Sequence, residues 1–332
     1  MKPALDIVIV TFNRLEKLKK TLRCYEAQSE SFRNLIVVDN CSTDGTKNFL
    51  KMWSNNYSIN TEIKKFNPII ISNKENLGGS GGFYIGQQKA MALEADWVFV
   101  ADDDAYAEVD MVERFYDYLQ KHDTTYTAAI CSAVYNMDGS ISLSHRDRNY
   151  STKRKETGII AFFCRQYIRE NVPEHEYKLE HFSIDLFSYV GTFMNGKALK
   201  KVGLVDKTFF IYYDDSEHSL RMKKYGDIIV VPGIRITHEG GGDKKNNNAI
   251  DWRVYYSTRN EQRMILKHYP RTALWNYYIL LRCTIGTWLH HPKTTICEQI
   301  MRIAMWDALF CRMGTHSLYK PGWKIMNENL LH

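Results

Sequence analysis

The sequence predicts an α/β protein, with a mainly parallel central sheet covered by helices on both faces and a C-terminal helical region added to it. Short, continuously apolar runs at Ile7–Val10, Leu35–Val38, Ile69–Ile71, Trp97–Val100 and Ala129–Val134 suit strands buried on both sides. Helix-like stretches, Arg14–Tyr25, Thr46–Trp53, Phe83–Glu94 and Val109–Lys121, lie between most of them, which is the alternation of a wound parallel sheet. The pattern then turns helical beyond Gly240–Asn248, a run of three glycines, two lysines and three asparagines around one aspartate. That run is the clearest boundary in the chain and divides it into domains of 1–240 and 241–332.

A chain of 332 residues with 44% hydrophobic and 25% charged residues is globular rather than disordered. Its net charge of +6 belongs to the tail, because residues from 241 onward hold 13 Lys and Arg against 6 Asp and Glu. Seven scattered cysteines without a C-x-x-C pair suit buried thiols in a reducing cytosol, not a disulfide or zinc framework. The N-terminus enters a strand at Asp6 without a signal-peptide core, and the apolar tail segment Thr272–Leu281 is about half the ~20 residues that span a bilayer. The expectation is a cytoplasmic protein, soluble or peripheral on the inner face of the cytoplasmic membrane.

In wound parallel sheets, ligands gather beyond the carboxyl ends of the strands. The residues to inspect are therefore Thr11-Phe12-Asn13-Arg14, Asp39-Asn40, Ser72-Asn73 and the triplet Asp102-Asp103-Asp104. The segment 137–188 is polar and reads as a loop or insertion. Regular signals return at Gly191–Gly196, followed by a helix to Lys201, a strand Thr208–Tyr213, a helix from Asp214 to Lys224 and strands Ile228–Val231 and Ile234–Thr237. In the tail, Leu274, Tyr278, Leu281, Ile285 and Leu289 recur at helical spacing, and five of the seven tryptophans lie there. Such basic, aromatic helices suit either an anionic membrane interface or a cap packed on the main domain. A nucleic-acid partner is not expected, because the tryptophans look interfacial rather than base-stacking.

Three carboxylates ending a buried strand repel one another unless a cation offsets them, and hard divalent ions prefer such oxygens. Asn76-Leu77-Gly78-Gly79-Ser80-Gly81-Gly82-Phe83 matches neither a dinucleotide fingerprint nor a P-loop, so its glycines point to close approach of a ligand, ahead of a mere tight turn. Asp39 can accept from a base or ribose. Asp214, Asp215 and Glu217 exceed what capping one helix needs, and one of them can serve as a general base. His238 ends a strand, where it can complete a metal shell.

Taken in order, Val8-Ile9-Val10-Thr11-Phe12-Asn13-Arg14, Val37-Val38-Asp39-Asn40-Cys41-Ser42-Thr43-Asp44-Gly45, Asn76-Leu77-Gly78-Gly79 and the Asp triplet resemble family 2 glycosyltransferases of the GT-A fold, a Rossmann-like architecture. The resemblance covers about residues 5–240. The glycine segment, the triplet and Tyr213-Asp214-Asp215-Ser216-Glu217 look most like bacterial galactofuranosyltransferases, although those carry tryptophan where Tyr213 stands. The helix entry Tyr255-Tyr256-Ser257-Thr258-Arg259-Asn260 is shared more widely, rhamnosyltransferases included.

The resemblance implies metal-dependent, inverting transfer from a nucleotide-diphosphate sugar, UDP-galactofuranose foremost, to a growing, lipid-linked surface glycan. It puts Thr11, Asn13, Arg14 and Asp39 around the nucleotide, with Asn76, Gly78 and Gly79 bordering the donor and Asp103 near its sugar. Asp102, Asp104 and His238 would hold Mn2+ or Mg2+. Asp215 would be the catalytic base, with Asp214 and Glu217 orienting the acceptor. A rhamnosyl- or other hexosyltransferase, or a binding module without turnover, are the competing expectations.

Overall fold

The computed structural model describes residues 2–59, 65–153, 163–240, 249–290 and 294–326. Two compact units emerge, one formed by Met1–Arg148, Asn171–Lys207 and Asp215–Gly242, the other by Asn149–Glu170, Thr208–Asp214 and Asp243–His332. From 241 on, the expected boundary run lies outside the described residues.

The first unit is built on a nine-stranded sheet. Its first part is parallel: β1 (Leu5–Thr11) lies between β2 (Asn34–Asp39) and β4 (Trp97–Asp102), and β3 (Asn67–Ser72) pairs outside β2. These strands are apolar on both faces because both faces are covered. Ile7, Ile9, Leu35 and Val37 pack in one core with Leu18 and Leu22 of α1 (Leu15–Glu26), Leu50 of α2 (Thr46–Ile59) and Phe115 of α4 (Met111–Lys121). Val8, Val10, Ile36 and Val38 pack in the other with Phe83 and Ala90 of α3 (Gly78–Ala92).

Beyond β4 the sheet becomes mixed. The strand β11 (Thr192–Asn195) runs antiparallel between β4 and β6 (Thr127–Tyr135), and β12 (Asp227–His238) returns parallel to β6. The short strand β5 (Ala105–Ala107) pairs antiparallel with the end of β12. Expected as two strands, Ile228–Val231 and Ile234–Thr237 form one, whose register shifts between Val231 and Arg235 around Pro232 and Gly233.

The expectation of a loop across 137–188 is corrected. This region holds β7 (Arg146–Lys153), β8 (Arg165–Asn171), β9 (Phe182–Ile184) and β10 (Leu186–Phe187), with β10, β7 and β8 forming a small separate sheet. Polar composition concealed it, because β7 and β8 are largely unburied. Arg146, at the start of β7, donates from a fully buried guanidinium to the carbonyls of Ser132, Val190 and Gly191 within the first unit.

The glycine run forms the first turns of α3 rather than a loop. A Cβ at Gly82 would stand 2.5 Å from Val10 Cγ1, and one at Gly86 would stand 2.1 Å from Val8 Cγ1. These glycines let the helix lie against β1 and β2. Gly79, with nothing within 4 Å of its Cβ position, is the member left open for a ligand.

In the second unit, α7 (Arg253–His268) packs on α9 (Ile296–Leu309) and on α8 (Pro270–His290). Phe210, Tyr255, Tyr256, Ile300, Ala304 and Tyr319 form its core. The strand expected over Thr208–Tyr213 is absent. A 3-10 turn at Lys207–Phe209 is followed by Phe210, Tyr212 and Tyr213 in the left-handed region, at φ of 67°, 66° and 62°. Bulky residues there cost about 1–3 kcal/mol each and persist only where their surroundings enforce the conformation.

Candidate active site

Parallel register aligns the strand ends. Thr11 pairs with Asp39, Asp39 with Ser72, and Val10 with Asp102, so the expected polar residues form one row along the carboxyl edge. The triplet then turns into β5, whose Ala105 lies opposite His238. That pairing explains how a histidine more than 130 residues away in sequence reaches the acids. Its Nε2 stands 3.2 Å from Asp104 Oδ1, and single ligand atoms of Asp102, Asp104 and His238 lie within 4.8 Å of one another.

Two carboxylates and an imidazole suit manganese or magnesium better than a softer, thiolate-seeking metal. A second group, His122, Glu180 and His181, has ligand atoms as close, but it is largely exposed and His122 is stacked on Tyr118.

Charge at the triplet is divided unevenly. Burial pushes the Asp102 carboxyl up to about 7, and the charge of Asp104 adds to the effect. Burial also raises Asp103, to about 6, against the hydrogen bond from Thr11 Oγ1 at 2.7 Å and the charge of Arg14. For Asp104 burial is outweighed by His238, Arg14 and Lys17, which hold it well below the usual carboxylate range. Arg14 Nη1 lies 3.0 Å and Lys17 Nζ 3.2 Å from Asp104 Oδ2. Burial would lower His238, yet its hydrogen bond to Asp104 and the charges of Asp102 and Asp104 raise it.

The other strand ends form a polar framework. Asp39 is buried and accepts from Ser42 N at 3.0 Å, so it supports the turn that follows it. Asn13, in the left-handed region at φ 53°, donates from its backbone to Ser42 Oγ and accepts from Thr43 N. Asn76 accepts from Gly78 N at 2.8 Å and from Asn40 Nδ2 at 3.0 Å, while Asn40 Oδ1 accepts from Leu77 N.

Asp214, Asp215 and Glu217 stand at the start of α6 (Asp214–Lys223), which follows α5 (Gly196–Val202) and β11. Glu217 is fully buried and accepts from Arg221 Nε at 2.9 and 3.1 Å. Arg221 in turn holds the carbonyls of Val202, Gly203 and Leu204, so this acid fixes the helix to the chain before it. Asp215 is half-buried, and its Oδ1 accepts from Ser216 N at 2.6 Å.

Lys17 receives no role from the sequence, and Asn40 stands there only as one of the strand-end residues. Lys17 lies one helical turn beyond Arg14, on the same face, which is the signal that marks it. Asn40 follows Asp39 at the strand end, and only its four contacts distinguish it from an ordinary turn residue.

Known proteins resemble this chain in sequence and in shape. The family model described as glycosyl transferase family 2 matches residues 6–173. The galactofuranosyltransferase GlfT1 of Mycobacterium tuberculosis is 28% identical over 230 residues, covering 68% of this chain and 66% of that protein. The match thus spans just under two thirds of the relative's length.

Among solved structures, Staphylococcus aureus TarS 1–349 in complex with UDP-GlcNAc has a TM-score of 0.55 at 15% identity, covering 92% of this chain and 80% of that one. GalNAc-T7 with UDP, GalNAc and Mn2+ has a TM-score of 0.53 at 15% identity, covering 80% of this chain and 48% of that one. These structures share the GT-A fold with this chain.

Proposed function

This chain belongs to glycosyl transferase family 2, and we propose that it moves a sugar, galactofuranose from UDP-galactofuranose before others, from a nucleotide-diphosphate donor to a hydroxyl of a growing surface glycan. The observation that carries this is the convergence of Asp102, Asp104 and His238 at the edge where the carboxyl ends of β1, β2 and β4 meet. Manganese-like ions fit that donor set and would neutralise charge on the leaving diphosphate. Thr11, Asn13, Arg14 and Asp39 border the nucleotide. Arg14 and Lys17, drawn to Asp104, are cations within reach of phosphate oxygens. Gly79 and Asn76 border the donor, and Asp103, kept in place by Thr11 and Arg14, faces its sugar.

Asp215 takes the proton of the acceptor hydroxyl, one base acting opposite the leaving group, which inverts the anomeric centre. Asp214 orients the acceptor. Glu217 acts from behind, holding α6 through Arg221. The preference for galactofuranose rests on the sequence kinship with the mycobacterial galactofuranosyltransferase. The purified protein should turn over UDP-galactofuranose with manganese and not without it. Faster turnover of dTDP-rhamnose would transfer the assignment to that donor, and no turnover of any donor would favour a binding module.

A peripheral seat on the cytoplasmic membrane, with a lipid-linked acceptor, is part of the proposal. Leu274, Leu281, Ile285, Trp288 and Leu289 of α8 are exposed, as are Met301, Ile303 and Phe310 on and just after α9. Arg271, Arg282, Arg302 and Arg312 lie among them in sequence. Among the described residues no helix is long and apolar enough to cross a membrane.

A further inference from the structure

Three of the seven non-glycine residues with positive φ among the described residues fall within four positions, Phe210, Tyr212 and Tyr213, immediately before Asp214 and Asp215. Aromatic side chains do not adopt that region unaided. What enforces it comes from two neighbouring positions on α7.

Asn260 is fully buried. Its Nδ2 donates toward three carbonyls of this one segment, those of Phe209 at 2.9 Å, Ile211 at 2.7 Å and Tyr212 at 3.0 Å. Two hydrogens shared among three acceptors can be satisfied only if the carbonyls converge, which is the backbone shape the left-handed residues create. The amide has one usable orientation, since Asn260 Oδ1 accepts from Arg259 Nε at 3.0 Å.

Arg259, also buried, adds its own bonds. Its Nη2 donates to Phe209 O at 3.2 Å and its Nη1 to Gly314 O at 2.6 Å, while Gly314 N donates to Thr208 O at 2.7 Å. Its guanidinium lies over the ring of Tyr256, which contacts the ring of Phe210. Every carbonyl from 208 to 212, apart from that of Phe210, is thus fixed by α7 or by a residue that α7 holds.

We infer that Arg259 and Asn260 are positioning residues, a clamp that holds segment 208–213 in its strained form and so sets the backbone from which Asp215 emerges. The inference rests on Asp215 being the base. Displacing a catalytic group by about 1 Å can cost 10²-fold in rate without weakening the binding of the other substrate.

The test is Asn260→Ala, measured for kcat, for donor KM, and for the Kd of UDP with Mn2+ by calorimetry. The expected result is a kcat reduced about 30- to 100-fold, with KM and the UDP Kd within threefold of the parent. Glycine accepts positive φ without cost. Tyr212→Gly, in the Asn260→Ala background, should therefore recover kcat at least tenfold by freeing the segment to regain its shape. A residue serving only as glue for the fold would show no such recovery.

If Asn260→Ala does not accumulate as folded protein, Arg259→Lys serves instead. It keeps a charge over Tyr256 but loses the Nε contact that orients the amide, and should lower kcat about tenfold at unchanged UDP affinity. A kcat within threefold of the parent overturns the clamp, as does a loss of UDP binding equal to the loss of kcat, or the absence of rescue by Tyr212→Gly. Asp215→Asn, assayed in parallel, separates the two claims. Normal turnover in Asp215→Asn removes the base and the clamp together, whereas an inactive Asp215→Asn beside a fully active Asn260→Ala removes the clamp alone.

Discussion

Alanine at Gly86 should destabilise the protein although alanine is the better helix former. The methyl group would lie 2.1 Å from Val8 Cγ1 and 3.4 Å from Val38 Cγ2, where real Cβ contacts essentially never fall below 3.0 Å. Val8 cannot yield easily, since it is fully buried on β1 between two hydrogen-bonded neighbours. Helix propensity returns up to ~1 kcal/mol, and forcing a methyl into a packed core costs ~1–3 kcal/mol. The net expectation is a loss of ~1–2 kcal/mol, or ~2–4 °C in melting temperature for each kcal/mol. Gly79→Ala is the internal control. With nothing within 4 Å of its Cβ, it should melt no lower than the parent while raising donor KM. Adding Val8→Ala to Gly86→Ala should cost less than the two changes summed, by a coupling of ~1 kcal/mol or more, because the clashing methyls are gone. Thermal unfolding of the parent, the three single variants and the double variant decides the matter. A Gly86→Ala protein as stable as the parent would refute the packing account and return the glycines to ligand approach.

Manganese binding should strengthen with pH. Asp102, raised to about 7, and His238, also raised, must both lose protons before they can ligate. Both folded values lie above their unfolded ones, so the stability they lend the metal-free protein is present at low pH and is lost as pH rises through each folded value, about 7 for Asp102. The upward shift in melting temperature on adding Mn2+ should therefore be larger at pH 7.5 than at pH 5.5, and should disappear in Asp104→Asn; a shift independent of pH would remove these groups as ligands. Asp215→Asn keeps the acceptor for Ser216 N at its Oδ1 and removes the proposed base, so kcat should fall 10²–10⁴-fold. Glu217→Gln should instead lower the melting temperature, because it leaves Arg221 unpaired; stability equal to the parent would remove Glu217 from its supporting role.

Strand–helix alternation was legible from β1 to β4 because it is a local property, set by apolar runs and the spacing of helices. Strand boundaries moved by a residue or two, whereas the helix expected over Thr46–Trp53 runs on to Ile59 and the one expected from Phe83 starts at Gly78, since the sequence marks a core face better than a hydrogen-bonded end. Two stretches escaped for different reasons. Residues 146–153 and 165–171 alternate too weakly to signal strands, because their sheet leaves most side chains in contact with solvent. The run Thr208–Tyr213 does look like a strand, with Phe209, Phe210, Ile211 and two tyrosines. Its geometry is dictated by Asn260, some 50 residues later, and no local pattern can report that. Glycine misled in the opposite direction: four glycines in five residues imply a loop by propensity, yet they open a helix that Gly82 and, one turn on, Gly86 allow to lie close against β1.

The metal-binding candidates were legible for a topological reason. A parallel sheet gathers its strand ends on one edge, so acids that close strands are neighbours before any side chain is placed. What the sequence could not give was which carboxylate does what, because that depends on partners from other elements. Asp103 is tied to Thr11, whereas Asp104 draws Arg14, Lys17 and His238. Three adjacent and chemically identical residues thus differ in proton affinity, with Asp102 and Asp103 raised and Asp104 lowered. The same holds at α6, where Glu217 and Asp215 lie two positions apart. One turns inward to Arg221 while the other remains half-exposed at the helix start. A general base needs solvent or substrate on one side and cannot share both oxygens with an internal guanidinium. The structure gives the two acids different surroundings, so that, with Asp215 as the proposed base, loss of its carboxylate should cost rate, whereas loss of the Glu217 carboxylate should cost stability.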